Sequence, residues 1–511
     1  MSTTHDTRQT STGRRWAALA VLSASLLVIA MDMTILNVAL PRITEELAPT
    51  AAQQLWIVDI HSLILAGLLV PVSALADRFG RKRVLLAGYL TFGAVSLAIL
   101  AVGSPAGVIL VRAFLGAGGA MIMPTTLSMI RVIFTDPKER ATALGIWASV
   151  SAVGIAVGPV VGGLLLEHVS WQSAFLVNVP LMGLALVAAY FLLPEYRTPT
   201  PPRWDTPGTI ASIAGMVALV WSIKHFADKG FGDGLAWAAF GAAVLCLGWF
   251  VRRCLRRPDP ILDLRLFRRP PFTAGIVAAL ASMFAMGALM LLVAQWLQLV
   301  DGRSPLQAGL ALLPAAVAMG IASPLAPGLA GRIGARNVLG GGLAIAALGF
   351  LVIYLAPSPL GYPWVALALV LLGGGGSALA VGSAIIMADT PQEKAGNAAA
   401  LEETSYELGS VLGVAILGSV AAATYATHLD DATMTAAGLD PVQSEAARES
   451  LAGALGIATQ HGSTGLAARA TEAFLDSLTF TGLVGALTML GAAVATFLLV
   501  PRTLQITKQS H

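Results

Sequence analysis

Seven residues that water would normally solvate stand inside or at the edge of long apolar runs: Asp32, Asp59, Arg112, Glu402, Glu403, Tyr406 and Glu407. Asp32 lies in LLVIAMDMTILNVALP and Asp59 in LWIVDIHSL. Ionisable groups placed this way are costly and point to function before structure. A carboxyl taken out of water favours its protonated form, and a nearby cation favours the ionised form. Such a group can hold a proton or face a positive guest, but it does not do both equally well. That is the chemistry of exchanging protons for cations. Glu403 and Glu407 are four residues apart and share a helix face. Tyr406, three residues from Glu403, is expected beside it, whereas Glu402 points elsewhere. Arg112 is read as the counter-charge of a carboxylate in the first or second span, with a purely structural pair to Asp59 as the alternative. His61 reads as a polar boundary residue rather than a proton relay.

Other chemistries are missing. No G-x-x-x-x-G-K-[ST] loop is present, so ATP is not the expected energy source. No Cys/His cluster has metal spacing. The two cysteines, Cys246 and Cys254, suggest no disulfide framework. No nucleophile constellation supports an enzyme, and neither cofactor nor metal is expected. Of 511 residues, 56% are hydrophobic and only 12% charged. A soluble chain carries about 25% charge, so a soluble enzyme and a disordered chain are both excluded. The net charge of +3 is distributed by membrane side rather than in a nucleic-acid patch.

The elements that must position these residues are membrane helices, each of about 20 apolar residues. Fourteen runs qualify: 16–40, 54–76, 84–102, 107–131, 141–166, 174–194, 207–227, 234–252, 273–299, 305–328, 338–356, 363–388, 398–423 and 479–500. Lys and Arg crowd the loops on one side, including Arg78, Arg81, Lys82 and Arg83, then the cluster from Arg252 to Arg269. By the positive-inside rule both termini are cytoplasmic. Lys224 falls near a boundary. Residues 424–478 form an extracytoplasmic loop, read as a helical hairpin over the outer vestibule. Its first helix opens at Pro441 and runs to about Ala458, and its second covers 463–477.

The chain also repeats itself. LADRFGRKRVLLAG from Leu75 recurs from Leu329 as LAGRIGARNVLGGG, an offset of 254. Pro137, Glu139, Arg140 and Ala141 meet Pro391, Glu393, Lys394 and Ala395 at the same offset. The expected organisation is a cytoplasmic tail (1–15), a six-helix half (16–194) and a linker (195–206). Two extra helices (207–252), a basic linker (253–272), a second six-helix half (273–500, including the 424–478 loop) and a tail (501–511) follow. Parallel halves of this kind are a transporter architecture with substrate between them.

Smaller features fit such a machine. Gly154, Gly158 and Gly162, with Gly163 and Pro159, make a flat face for close helix contact and a bend. Asp77 among Arg78, Gly80 and Arg81 suggests an ion-pair latch between helices. Gly331 holds the matching position in the second copy. Trp56, Trp147, Trp296, Gln295 and Met319 are candidate cavity-lining residues, because aromatic faces attract cations and methionines repack around varied ligands.

These motifs resemble the major facilitator superfamily. DRFGRKR matches its loop motif, Arg112 with Gly116 its fourth-helix motif, and GIAVGPVVGG the antiporter motif of the fifth helix. DMTILNVALP and SWQSAFLVNVP are similar to the fourteen-helix drug:proton antiporters. QQLWIVDIHSLILAG, PKERATALGIW and AGNAAALEETSYELG resemble the QacA-type and SmvA-type exporters of quaternary ammonium compounds, methyl viologen and biguanide antiseptics. The resemblance implies a fourteen-helix, all-α protein of the bacterial inner membrane that exports lipophilic cations, dyes among them, in exchange for protons and acts as a monomer. It implies proton coupling or cation recognition at Asp32, Glu403 and Glu407, supported by Asp59 and Arg112. Some relatives have an acid in the tenth span, where Met319 stands here. Strong preference for divalent dyes is therefore not implied. Rival readings are a transporter of an amino acid or other zwitterion, a membrane-embedded enzyme and a channel.

Overall fold

Helix starts and stops are written locally in this chain. A computed structural model describes residues 12–197, 205–258, 260, 262–390 and 395–501, and some side chains within these ranges, Asp77 among them, lie outside the described residues. So do Pro391, Glu393 and Lys394 of the repeat. The first half comprises α1 (Thr12–Leu47), α2 (Ala51–Phe79), α3 (Arg81–Ala98), α4 (Pro105–Ile133), α5 (Pro137–His168), the short α6 (Ser173–Leu176) and α7 (Asn178–Leu192). Two further helices follow, α8 (Thr206–Lys229) and α9 (Gly234–Arg256). The second half contains α10 (Pro270–Leu299), α11 (Pro305–Ile333), α12 (Ala335–Leu355), α13 (Tyr362–Gly374), α14 (Gly376–Asp389), α15 (Ala395–Gly413) and α16 (Ser419–His428). It ends with α17 (Asp431–Ala436), α18 (Pro441–Glu449), α19 (Leu451–His461) and α20 (Thr464–Leu499). No strand occurs among the described residues.

Among the described residues, thirteen helices are long and apolar enough to cross a membrane. The fifth expected span is α5, whose apolar stretch among the described residues is the shorter Val153–His168. The twelfth is divided into α13 and α14 at Gly375, which keeps helical dihedrals. The thirteenth runs from α15 to α16 through a π-helical segment, Val414–Gly418. One extra residue per turn there rotates the faces that follow, a distortion found often at functional sites.

The repeat continues in the backbone. Thr50 and Ser304, 254 apart, each N-cap their helix with a complete capping box closed by Gln53 and Gln307. The two helices so begun, α2 and α11, are both 29 residues long. Both end at a glycine in the positive-φ region, Gly80 (112°) and Gly334 (91°). Only glycine takes that conformation without steric cost.

The 424–478 segment differs in detail from its expected form. Asp440 caps α18, whose first residue is Pro441, but Ser450 breaks the expected helix and caps a new one, α19. The expected second hairpin helix is continuous with the last span in the 36-residue α20. Apolar side chains of its first turns, Leu466 and Phe474, are buried, so the helix has no reason to stop at the membrane edge.

The extra pair α8–α9 is anchored at the end where α8 begins and α9 stops. Asp205 caps α8 through Gly208 N–H. It also accepts from Arg253 Nε at 2.8 Å and lies 2.7 Å from Arg257 Nη1. The hydrogen bonds from the Arg253 guanidinium hold its carboxyl below the usual carboxylate range.

Candidate functional site

Asp32 is 1% exposed in the middle of α1, and four helices converge on it. From α4, Arg112 Nη1 donates to Asp32 Oδ2 at 2.6 Å. From α7, Asn178 Nδ2 donates to Asp32 Oδ1 at 2.8 Å. From α2, His61 Nδ1 lies 3.7 Å from Asp32 Oδ2. Arg112 is held from behind by the carbonyl of Ile57, 3.2 Å from its Nε. A buried ion pair persists only when further hydrogen bonds satisfy its remaining atoms, and Asn178 and Ile57 supply them. His61 is fully buried and neither ring nitrogen has a hydrogen-bond partner among the described residues. It is therefore not at a boundary, contrary to the expectation from sequence.

The glycine motif explains how α1 is held. Gly158 of α5 faces the Met31 carbonyl and the Thr34 hydroxyl, one residue before and two residues after Asp32, and any side chain there would collide with them. Gly154 and Gly162 face Leu27 and Ile35 on the same helix. Gly163 and Pro159 instead meet Pro305, Leu306 and Gly309 of α11, across the seam between the halves.

The acids of α15 form a second cluster. Glu407 is buried and hydrogen-bonded to Ser62 of α2 in the other half. It is also within electrostatic reach of Arg112. The guanidinium thus lies between carboxylates of both halves. Glu403 lies nearest Glu407 and Glu402. Tyr406 donates a short hydrogen bond to Glu402 rather than lying against Glu403. Ser383 of α14 joins Glu402 and Tyr406. The i, i+4 relation of 402 to 406 permits this pairing, and Glu402 belongs to the polar cluster instead of pointing away.

Asp59 does not pair with Arg112. Its partner is Lys224 of α8, with Nζ 3.0 Å from Oδ2. The same ammonium lies 4.3 Å from the ring centroid of Trp56. Sequence reading missed four members of these clusters: Asn178, Ser62, Ser383 and Lys224. Lys224 stands in an apolar run and was open to the same argument as Asp32. Asn178, Ser62 and Ser383 carry no charge and gave no comparable signal.

The remaining candidates are dispersed. Trp147 Nε1 donates to Thr126 at 3.3 Å. Trp296 is 1% exposed, without a partner for its indole N–H among the described residues. Gln295 lines a small cavity beneath α18 and α19 with Gln54, Glu449 and Phe474. Met319 packs toward Gly376 of α14. Gly80 lies against Glu195. Arg81 donates to the Ser128 carbonyl at 3.1 Å and lies over Tyr196. Arg78 lies over the neighbouring Phe79 ring. The Asp77 latch falls on a side chain outside the described residues. No group of three or more His, Cys, Asp or Glu able to hold a metal occurs among the described residues.

The Major Facilitator Superfamily model matches residues 22–414. The chain belongs to the major facilitator superfamily. The multidrug efflux pump LfrA of Mycolicibacterium smegmatis is 42% identical over 496 residues, covering 96% of this chain and 97% of LfrA. The methyl viologen resistance protein SmvA of Salmonella typhimurium is 38% identical over 409 residues, covering 79% of this chain and 82% of SmvA. Among solved structures, a bacterial homologue of the human lysosomal transporter Spinster, inward-facing and unoccupied, superposes with a TM-score of 0.69 at 19% identity. It covers 96% of this chain and 98% of that one. That likeness bears on the major facilitator fold alone. The superfamily and its efflux-pump members are transporters rather than enzymes, in line with the reading of the sequence.

Proposed function

We propose that this protein is a multidrug exporter that moves lipophilic organic cations out of the cell in exchange for protons. The observation that carries the reading is Arg112, ion-paired with Asp32 in one half and within electrostatic reach of Glu407 in the other. With Asp32 ionised, the guanidinium is neutralised by it, and the acids of α15 are available to an organic cation. A proton on Asp32 removes that neutralisation. The freed positive charge of Arg112 then falls on Glu407 and competes with the bound cation. Proton entry and cation release are thereby coupled through one side chain. The efflux-pump and methyl viologen resistance names of the relatives support the substrate class.

The Lys and Arg bias supports a cytoplasmic placement of the end where α8 begins and α9 stops, in a bacterial inner membrane. Named contacts between the halves lie toward the opposite end: Gly163 with Pro305, Gly309 with Pro159, and Gln298 Nε2 to the Val38 carbonyl at 3.2 Å. These support an arrangement closed toward the outside. A zwitterion transporter would need a cation free to hold a carboxylate, and Arg112 is already engaged by Asp32.

The test is a proteoliposome assay. An imposed pH gradient is expected to drive uphill accumulation of a quaternary ammonium dye, and a protonophore to abolish it. Accumulation that ignores the gradient would overturn proton coupling. Failure to move any cation under a gradient would overturn the substrate class.

A further inference from the structure

The site at Asp59 is built like a cation receptor, and it is already filled. Asp59 and Lys224 are each 2% exposed. The Lys224 ammonium lies 3.0 Å from the Asp59 carboxylate and 4.3 Å from the face of Trp56. A carboxylate beside an aromatic face is the pair of groups that recognises organic ammonium ions. Around it, Met216 and Val220 of α8 pack with Ile60 and Leu63 of α2 and with Val411 and Ala415 of the second half. The site therefore lies where both halves and the extra helix pair meet.

Two features argue against a plain structural ion pair. Lys224 stands five residues before the end of α8, within reach of snorkelling to water on its four-carbon stem, yet it turns inward. A buried ion pair also needs further hydrogen bonds to offset desolvation. Here Lys224 Nζ and Asp59 Oδ2 have each other at 3.0 Å, and neither has a further hydrogen-bond partner among the described residues. The pair at Asp32, by contrast, has Asn178 and Ile57. The Asp59 pair lacks that supporting shell and is the one of the two open to exchange.

We propose that Lys224 is a tethered occupant of a second cation site formed by Asp59 and Trp56, and that an exported organic cation takes this place by displacing it. The extra helix pair then sets affinity, because every substrate must compete with a built-in ammonium. This rests on the cation-export reading above.

Equilibrium binding of tetraphenylphosphonium to the purified full-length protein tests it. This probe is a permanent cation, so no protonation of the ligand intervenes. Lys224→Gln is expected to tighten binding roughly tenfold, since the carboxylate and ring become vacant. Lys224→Arg is expected to bind as the wild type does. In the Lys224→Gln/Asp59→Asn protein the gain should disappear. Because Lys224→Gln leaves a buried carboxylate unpaired and risks misfolding, Trp56→Leu provides a second measurement that keeps the ion pair. It should weaken binding several-fold, and Trp56→Phe should restore it. Unchanged or weaker binding by folded Lys224→Gln overturns the proposal, as does a gain that survives loss of Asp59 or indifference to Trp56→Leu. Wild-type protein that binds no tetraphenylphosphonium would overturn the export reading itself. Wild-type binding without the Lys224 effect overturns only this inference.

Discussion

At Asp32, one carboxylate is held by three helices besides its own, and its charge is balanced by one guanidinium. Asp32→Asn is therefore expected to abolish gradient-driven dye efflux. Removing one partner of a buried pair costs about 3–5 kcal/mol, so loss of fold must be separated from loss of coupling. The Asp32→Asn/Arg112→Gln double variant removes both charges. It should regain thermal stability in detergent while remaining unable to transport, and efflux by either folded variant would remove the coupling role. Glu403→Gln should weaken export of cations more than of neutral compounds, because it removes a charge and keeps the shape. Equal loss for both, measured in the same cells, would point to a structural effect. The residues found from sequence were those whose charge is expensive in an apolar run, namely Asp32, Arg112 and Glu407. The pairings among them were not legible. Tyr406 is as close along the chain to Glu403 as helix geometry allows, yet it bonds Glu402. Only tertiary packing, with Ser383 alongside, decides between the two.

At the scale of the helix, the α1–α5 contact decides whether Asp32 sits where Arg112 and Asn178 can reach it. Gly158→Ala would drive a methyl group into the Thr34 hydroxyl and the Met31 carbonyl. Overpacking of this kind costs about 1–3 kcal/mol, and the relief available is a shift of α1. The expected result is a lower melting temperature and loss of efflux. Gly241→Ala in α9, where nothing lies within 4 Å of the added carbon, should leave both unchanged. Similar behaviour of the two variants would show that this face does not position α1. Most helix boundaries follow from signals that sequence carries openly: proline at first turns, serine and threonine caps, and glycine after last turns. The repeated capping boxes at Thr50 and Ser304 were as readable as the loop motif that revealed the duplication. What escaped reading was interruption without a composition signal. The π segment at Val414–Gly418 sits in an ordinary apolar run. The continuity of α20 was hidden because its first turns look like a soluble amphipathic helix, though their apolar side chains, Leu466 and Phe474 among them, are buried.

For the whole molecule, the question is what holds the two halves together at the end that carries α18 and α19. Glu449, at the last position of α18, accepts a short hydrogen bond from the Ala51 N–H in the first turn of α2. The segment belongs to the second half and the helix to the first, so this contact spans the seam. A carboxylate at a helix N-terminus contributes about 1 kcal/mol through the unpaired N–H groups and the helix dipole. Its loss should shift the balance between the halves roughly fivefold toward opening at this end. Gln54, 8% exposed in the cavity beneath the segment, provides the reporter. With Cys246 and Cys254 replaced and Gln54→Cys introduced, a membrane-impermeant maleimide applied from outside should label Glu449→Gln protein several times faster than protein that keeps Glu449. If α18 and α19 only rest on the surface, the two labelling rates will be equal. If they brace the closed end, faster opening should also appear as faster release of bound cation. The effect of Glu449 would then reach Asp32 through the rigid α1 and α2 rather than through any contact between them.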